Sequence, residues 1–170
     1  MEKRRLGRTG LAVTVVGLGG APLSREACTD EEALETVWAS LEGGANLIDT
    51  SPHYGLGRSE TLIGRALQER PDLAGDVVLS TKTGHYGQRT DYSYDGTMRS
   101  IERSLSRLGV SYLPIVHIHD VWSADNLRDI VRRKAAHAAL RQLQAEEVVG
   151  SIGIGTKDLG ALQFKGEFRP

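Results

Sequence analysis

Short apolar runs alternate with longer segments of helical periodicity along most of the 170-residue chain. Each run has the length of a strand and is rich in valine or isoleucine, which is typical of strands buried on both faces of a parallel sheet. The five runs are VTVVGLGG (13–20), ANLIDTS (45–51), DVVLSTK (76–82), PIVHIH (114–119) and VVGSIGIG (148–155). The pattern predicts five strands whose carboxyl ends lie near Gly20, Asp49, Lys82, His119 and Gly155.

The segments between these runs carry helix start and stop signals. Thr29 and Glu32 have the spacing of a capping box, in which each residue satisfies a backbone N–H of the other. The predicted helices are a segment that follows Thr29 and ends at Gly43, residues 59–69, a segment capped by Asp95 that ends at Gly109, and one continuous segment from about Asp125 to Glu147.

The repetition of strand and helix predicts a parallel α/β fold, and the spacing indicates which kind. Successive strand ends are 29, 33, 37 and 36 residues apart. An eight-unit (β/α) barrel of roughly 250 residues has about 31 residues per unit, although a doubly wound open sheet would show similar spacing. We therefore expect a partial barrel of the TIM type, with an N-terminal hairpin at 1–14, five β/α units at 15–155 and an atypical tail at 156–170.

Composition excludes several classes of partner. Lys and Arg total 21 against 22 Asp and Glu, so the charge provides no attraction to nucleic acid or to an anionic membrane surface. Cys28 is the single cysteine, which excludes an intrachain disulfide and favours a reducing compartment, the cytoplasm. No run approaches the ~18 apolar residues that a membrane span needs.

Ionisable residues close three successive predicted strands. Asp49, Lys82 and His119 stand at these ends, and Tyr54 follows Asp49 in the next loop. Catalytic groups of barrel enzymes converge at the carboxyl ends of the strands. A phenol has a pKa of about 10 in water, and a neighbouring ammonium lowers it. This set of side chains therefore suits proton exchange with an alcohol or a carbonyl, the partner step of hydride transfer.

The chain resembles the aldo-keto reductases over about residues 3–155, and among them the bacterial aldose 1-dehydrogenases. The resemblance is carried by RRLGRTGLAVTVVGLGGAPL, NLIDTSPHYGLGRSETLIG, LSTKTG, DYSYDGTMRSIERSLSRLGVSYLPIVHIHD and VVGSIGIG. It implies a (β/α)8 barrel that uses NADP or NAD to oxidise an aldose or to reduce a small aldehyde. It also implies the catalytic residues Asp49, Tyr54, Lys82 and His119, with Tyr54 exchanging the proton, and cofactor contacts at Gly20, Ala21 and Asp49.

Two histidines compete for the position at the end of the fourth strand. The pattern of the family, an apolar residue followed by His-Asp, selects His119, which leaves His117 as a residue of the barrel interior. His117 and His119 also have the His-x-His spacing of a metal site, but this signal is weak alone, and we expect no metal ion. His53, His85 and His137 are expected to be solvated or structural.

Two features of the sequence depart from the family. Lys157 stands where the subgroup tends to have an asparagine that contacts the nicotinamide amide, and the loops that grip the adenosine phosphate have no counterpart in these 170 residues. The sequence therefore leaves a second hypothesis, a truncated and inactive barrel without cofactor. Its unpaired strand edges would favour self-association into a homo-oligomer, including the pairing of two half-barrels.

Overall fold

The computed structural model describes residues 1–132 and 135–163. Its strands are β1 (Lys3–Arg5), β2 (Ala12–Thr14), β3 (Leu18–Gly19), β4 (Leu47–Asp49), β5 (Val78–Thr83), β6 (His85–Tyr86), β7 (Arg89–Thr90), β8 (Leu113–Ile118) and β9 (Val149–Ile154). Its α-helices are α1 (Asp30–Glu42), α2 (Arg58–Glu69), α3 (Pro71–Ala74), α4 (Tyr94–Leu108), α5 (Ala124–Arg132), α6 (Ala136–Ala145) and α7 (Leu159–Leu162).

Five strands form one parallel sheet in the order β3-β4-β5-β8-β9, so spatial order follows chain order. Helices α1, α2, α4 and α6 lie side by side against it. The predicted α/β fold with five parallel strands is confirmed. None of the described helices is long and apolar enough to cross a membrane.

The first apolar run is divided between two sheets, which corrects the prediction of one strand over 13–20. Its first part belongs to β2, which pairs antiparallel with β1, and only Leu18 and Gly19 join the parallel sheet. Asn46 holds the hairpin in place, because its side-chain oxygen accepts the Thr14 N–H at 2.8 Å and its own N–H donates to the Thr14 hydroxyl at 3.0 Å.

Local hydrogen bonds correct two helix predictions and confirm the capping box of Thr29 and Glu32. The cap of α4 is Ser93 rather than Asp95, because the extended Ser93 accepts the Gly96 N–H on its hydroxyl at 3.1 Å. The single helix predicted from about 125 to 147 is two helices, α5 and α6. Ala135 has a non-helical backbone, and the Ala136 N–H donates to the Tyr92 carbonyl at 2.7 Å instead of to an earlier turn.

The period of two along the strands divides the core into two parts. Ile48, Leu79 and Val116 point to the helices and belong to the main apolar cluster. Their neighbours on the opposite face form a smaller cluster with Val13 of the hairpin, which closes the amino-terminal end of that face; it consists of Val13, Val78 and Ile115, with Leu11 and Leu47 packed against them.

The same inner face becomes polar toward the carboxyl ends of the strands. Asp49 lies opposite Ser80, and Lys82 lies opposite His117, in the register of the sheet. One strand pattern therefore builds an apolar floor and, above it, a layer of ionisable groups.

A buried ion pair lies behind this polar layer. Glu60 of α2 has no exposed side-chain surface, and its carboxylate accepts hydrogen bonds from Thr81 of β5 at 2.6 Å and from Arg107 of α4 at 2.6 and 2.7 Å. The contacts connect two helices to the strand that carries Lys82. Removing one partner of such a pair leaves an uncompensated charge.

We predict that Glu60→Gln lowers the free energy of unfolding by about 3 kcal/mol, because Arg107 loses its buried counter-charge. Urea unfolding followed by circular dichroism measures the change. The matched control is Arg65→Gln, which removes the exposed partner of Glu69 one turn along the same helix and should leave the midpoint unchanged. Equal effects of the two substitutions would contradict a special role for the buried pair.

Candidate active site

A left-handed turn places the Tyr54 ring over the strand ends. Three successive residues after Tyr54, namely Gly55, Leu56 and Gly57, have φ values of 60°, 53° and 98°. At Gly57 a Cβ atom would lie only 2.9 Å from the Arg107 side chain, so glycine is needed for space as well as for conformation. The turn reverses the chain between β4 and α2 and leaves Tyr54 next to the polar layer.

Lys82 is the centre of the polar layer. Its ammonium donates to an Asp49 carboxylate oxygen at 2.6 Å and to the Thr50 carbonyl at 2.8 Å, and its side chain is 11% exposed. The second Asp49 oxygen accepts from the Ser80 hydroxyl at 2.8 Å. The Lys82 nitrogen lies 4.9 Å from the centre of the Tyr54 ring. The ammonium is thus held between a carboxylate and a phenol ring.

His119 completes the group from the next strand. It follows the end of β8, where its backbone N–H donates to the Thr83 carbonyl at 2.8 Å. Its Nδ1 lies 3.1 Å from the Ser51 hydroxyl, and its ring stands edge-on to Tyr54 with centres 6.0 Å apart. The structure therefore brings Asp49, Tyr54, Lys82 and His119 together at one end of the sheet.

Burial determines the protonation of His119. Desolvation lowers its pKa to about 4, the Asp120 carboxylate partly opposes this shift, and the Lys82 ammonium adds to it. The imidazole is therefore neutral at neutral pH, and it can donate one hydrogen bond while it accepts another.

His117 lies one layer deeper than His119. It pairs with Lys82 in the sheet register, and its Nδ1 is 3.4 Å from the Ser80 hydroxyl. Burial lowers its pKa, as does Lys82, while Asp49 opposes the shift. Gly153 on β9 leaves room for the ring, since a Cβ there would approach His117 to 2.6 Å. His117 therefore packs between β5 and β9 on the face of the sheet that carries Lys82.

Two further histidines surround His119, although the sequence predicts no role for them at this site. The rings of His53 and His85 stack with centres 4.1 Å apart, and His85 Nδ1 bonds to the Asp120 carboxylate at 2.6 Å. Ligand atoms of His85, His119 and Asp120 lie within 4.8 Å of one another, so these three could hold a metal ion. His117 is not part of that group.

The residues predicted to contact a cofactor differ in accessibility. Gly20 is buried; its N–H donates to the Asp49 carbonyl at 2.7 Å and its carbonyl accepts from the Ser59 hydroxyl at 2.8 Å. Ala21 is exposed at the same end of the sheet. Ala21 and the Asp49 side chain are therefore the two of these residues that could face a bound molecule.

A cavity of about 430 Å³ opens at Asp120, the residue that follows His119. Asp120, Trp122 and Lys157 are among the residues that line it, and Trp122 is 54% exposed. The volume suits a small organic molecule, and the lining offers an aromatic surface beside one ammonium group and two carboxylates, those of Asp120 and Asp158.

The strand period predicts only some of the residues that surround Lys82 and His119. Ser80 stands two residues before Lys82, so the strand period places both on one face. Ser51 and His53 lie in the loop after β4, and His85 begins the two-residue strand β6, which is too short to show a period. Their convergence depends on the turn after β4 and on the β6–β7 hairpin.

Comparisons with known proteins agree on one family. The model of the aldo/keto reductase family matches residues 15–164. The chain is 36% identical over 156 residues to L-galactose dehydrogenase of Arabidopsis thaliana, an alignment that covers 91% of this chain and 48% of that protein. It is 31% identical over 179 residues to D-threo-aldose 1-dehydrogenase of a Pseudomonas species, with coverage of 90% and 53%.

The solved structures extend this similarity to the fold. Aldo-keto reductase AKR11C1 from Bacillus halodurans, in its holo form, superimposes with a TM-score of 0.79 at 28% identity, which covers 92% of this chain and 51% of that one. The chain thus spans about half the length of the relatives it matches.

We predict that His119 makes the fold less stable in acid. Its folded pKa of about 4 lies below the ordinary value of 6.5, so between these values the unfolded chain binds more protons and stability falls as the pH falls. The slope from this residue reaches up to about 1.4 kcal/mol per pH unit. Urea unfolding of the unmodified chain and of His119→Gln across this window measures the contribution, because the difference removes the effect of other groups. Parallel curves would contradict the prediction.

Proposed function

Because the chain belongs to the aldo/keto reductase family, we propose that it acts in the NAD(P)-dependent oxidation of an aldose or reduction of a small aldehyde, with Tyr54 exchanging the proton. The observation that carries this proposal is the meeting of Tyr54 with Lys82, Asp49 and His119 at one end of the sheet.

Tyr54 is the proton donor for reduction and the acceptor for oxidation. In reduction the O–H bond of the phenol breaks, and its proton moves to the carbonyl oxygen of the substrate, which becomes the hydroxyl of the product. The Lys82 ammonium, 4.9 Å from the ring centre, favours the phenolate that remains. Asp49 keeps this ammonium oriented through their 2.6 Å contact.

His119 positions the substrate. Its neutral imidazole, fixed by Ser51, can donate a hydrogen bond to the reacting oxygen without competing for the proton of Tyr54. The cavity lined by Trp122 and Lys157 would receive the rest of a small sugar, with the indole face against its C–H groups.

The four residues of the candidate active site fit a nicotinamide cofactor, which would supply or accept the hydride when bound. In reduction Tyr54 provides the one proton that balances this transfer, and the Lys82 ammonium keeps its own protons. Of the described residues, Ala21 and Asp49 would contact the cofactor at the sheet end, and Gly20 would support them through its buried hydrogen bonds. The choice between NAD and NADP is part of the test.

Tyr54→Phe should lower kcat about 10²- to 10⁴-fold, because it removes the proton donor and keeps the ring. Purified protein is mixed with NAD⁺ or NADP⁺ and L-fucose or D-arabinose, and the near-ultraviolet absorbance of reduced nicotinamide is followed. The control is Tyr94→Phe, which removes a hydroxyl that bonds Gln142 on the surface and should retain full activity.

The two possible failures differ. No absorbance change in the unmodified chain, with either cofactor, would count against the proposed reaction. Normal turnover by Tyr54→Phe would leave the reaction in place and exclude the role of Tyr54.

A second candidate is self-association through the sheet edges. Strands β3 and β9 each pair with one neighbour within the described part of the chain, which leaves backbone groups on their outer sides available to another strand. We predict a concentration-dependent dimer in sedimentation velocity at micromolar protein. A monomer at every concentration, with a single sharp melting transition, would remove this candidate.

A further inference from the structure

A cleft of about 530 Å³ adjoins the segment that carries Tyr54. One wall is α4, a second is the β6–β7 hairpin, and the third is formed by Pro52 and Leu56. None of the groups assigned to proton transfer lines it.

Positive charge is concentrated in this cleft. Four arginines line it, and Arg107 alone among them makes an ion pair, with the buried Glu60. Arg89, Arg99 and Arg103 have no carboxylate within 4.0 Å in the part of the chain that the structure describes. The cleft therefore has an excess of cations on a chain whose net charge is −1.

The one carboxylate among the residues that line the cleft, that of Asp91, forms a hydrogen bond within its own loop. Asp91 accepts the Ser93 N–H at 2.9 Å, and the hydrogen bonds from Ser93 lower its pKa, with a smaller contribution from Arg99. Its single negative charge offsets only part of the positive charge of the four arginines, and it makes no direct ion pair with them among the described residues.

Ser100 gives independent evidence for a ligand. It lines the same cleft between Arg99 and Arg103, is 5% exposed, and its hydroxyl is buried without a hydrogen-bond partner among the described residues. A helical serine ordinarily bonds back to the preceding turn or to water, and an unsatisfied buried hydroxyl is uncommon. An acceptor bound in the cleft that these residues line would satisfy it.

We propose that this cleft binds the phosphate group of a small phosphorylated metabolite. Guanidinium groups form paired, charge-assisted hydrogen bonds with phosphate oxygens, and the oxygens left over can accept from a hydroxyl. A volume of about 530 Å³ exceeds the needs of a free phosphate ion, and the apolar surfaces of Pro52 and Leu56 would contact the organic part. This site is separate from the proposed oxidoreductase function.

The position of the cleft connects it to Tyr54. Pro52 and Leu56 lie two residues before and after Tyr54, and Gly57 rests against Arg107. A ligand held by the α4 arginines would therefore restrain the segment that carries the phenol.

Isothermal titration of the full chain with inorganic phosphate, glucose 6-phosphate and glucose tests the proposal without any measurement of activity. We expect glucose 6-phosphate to bind more tightly than glucose, and only the binding of glucose 6-phosphate to depend on Arg99 and Arg103, because any glucose would be held at the candidate active site. The double variant Arg99→Gln/Arg103→Gln should raise Kd at least about tenfold, since two charge-assisted hydrogen bonds are lost, and Ser100→Ala should raise it by a smaller factor.

The control Arg65→Gln/Arg141→Gln removes the same charge from other helices and should leave Kd unchanged. Tighter binding of glucose 6-phosphate than of inorganic phosphate supports a phosphorylated metabolite, whereas equal affinity would assign the cleft to free phosphate and overturn the organic part of the proposal. No binding of either at millimolar concentration, or equal weakening by the control, would overturn the site itself. Circular dichroism melts of each variant verify folding.

Discussion

The ammonium of Lys82 must be neutralised inside the sheet, because burial of an unpaired charge would cost several kcal/mol. Asp49 and the Thr50 carbonyl meet this requirement from the neighbouring strand, at 2.6 and 2.8 Å. The pairing sets the height of the two strand ends relative to each other. It also determines where the chain leaves β4, and hence where the turn can place Tyr54.

The strand that carries Lys82 connects two separate buried networks. Its neighbour Thr81 faces the helices and donates to Glu60, which also holds Arg107. The alternation of side chains thus lets one strand use its polar residues on both faces. Glu60, on the helix side of the sheet, connects β5 to two helices. Asp49, on the opposite face, orients the Lys82 ammonium. The position of Lys82 therefore depends on contacts on both faces of its strand.

The sequence predicts what depends on strand period and strand ends. Asp49, Lys82 and His119 end apolar runs, so their convergence follows from a parallel sheet. The cap of α4 could not be chosen reliably, because Ser93 and Asp95 are both good capping residues and only the backbone conformation selects Ser93. The break before α6 depends on a tertiary hydrogen bond from Ala136 to Tyr92, which leaves no local signal.

The turn after Tyr54 contains two adjacent residues with opposite tolerance to change. Leu56 adopts a left-handed backbone, which costs a residue with a Cβ atom about 1–2 kcal/mol, and its side chain is 77% exposed. Gly57 is confined by an arginine that is itself anchored to Glu60. Relatives of this chain should therefore accept glycine or asparagine at position 56 without loss of the turn, whereas position 57 should remain glycine.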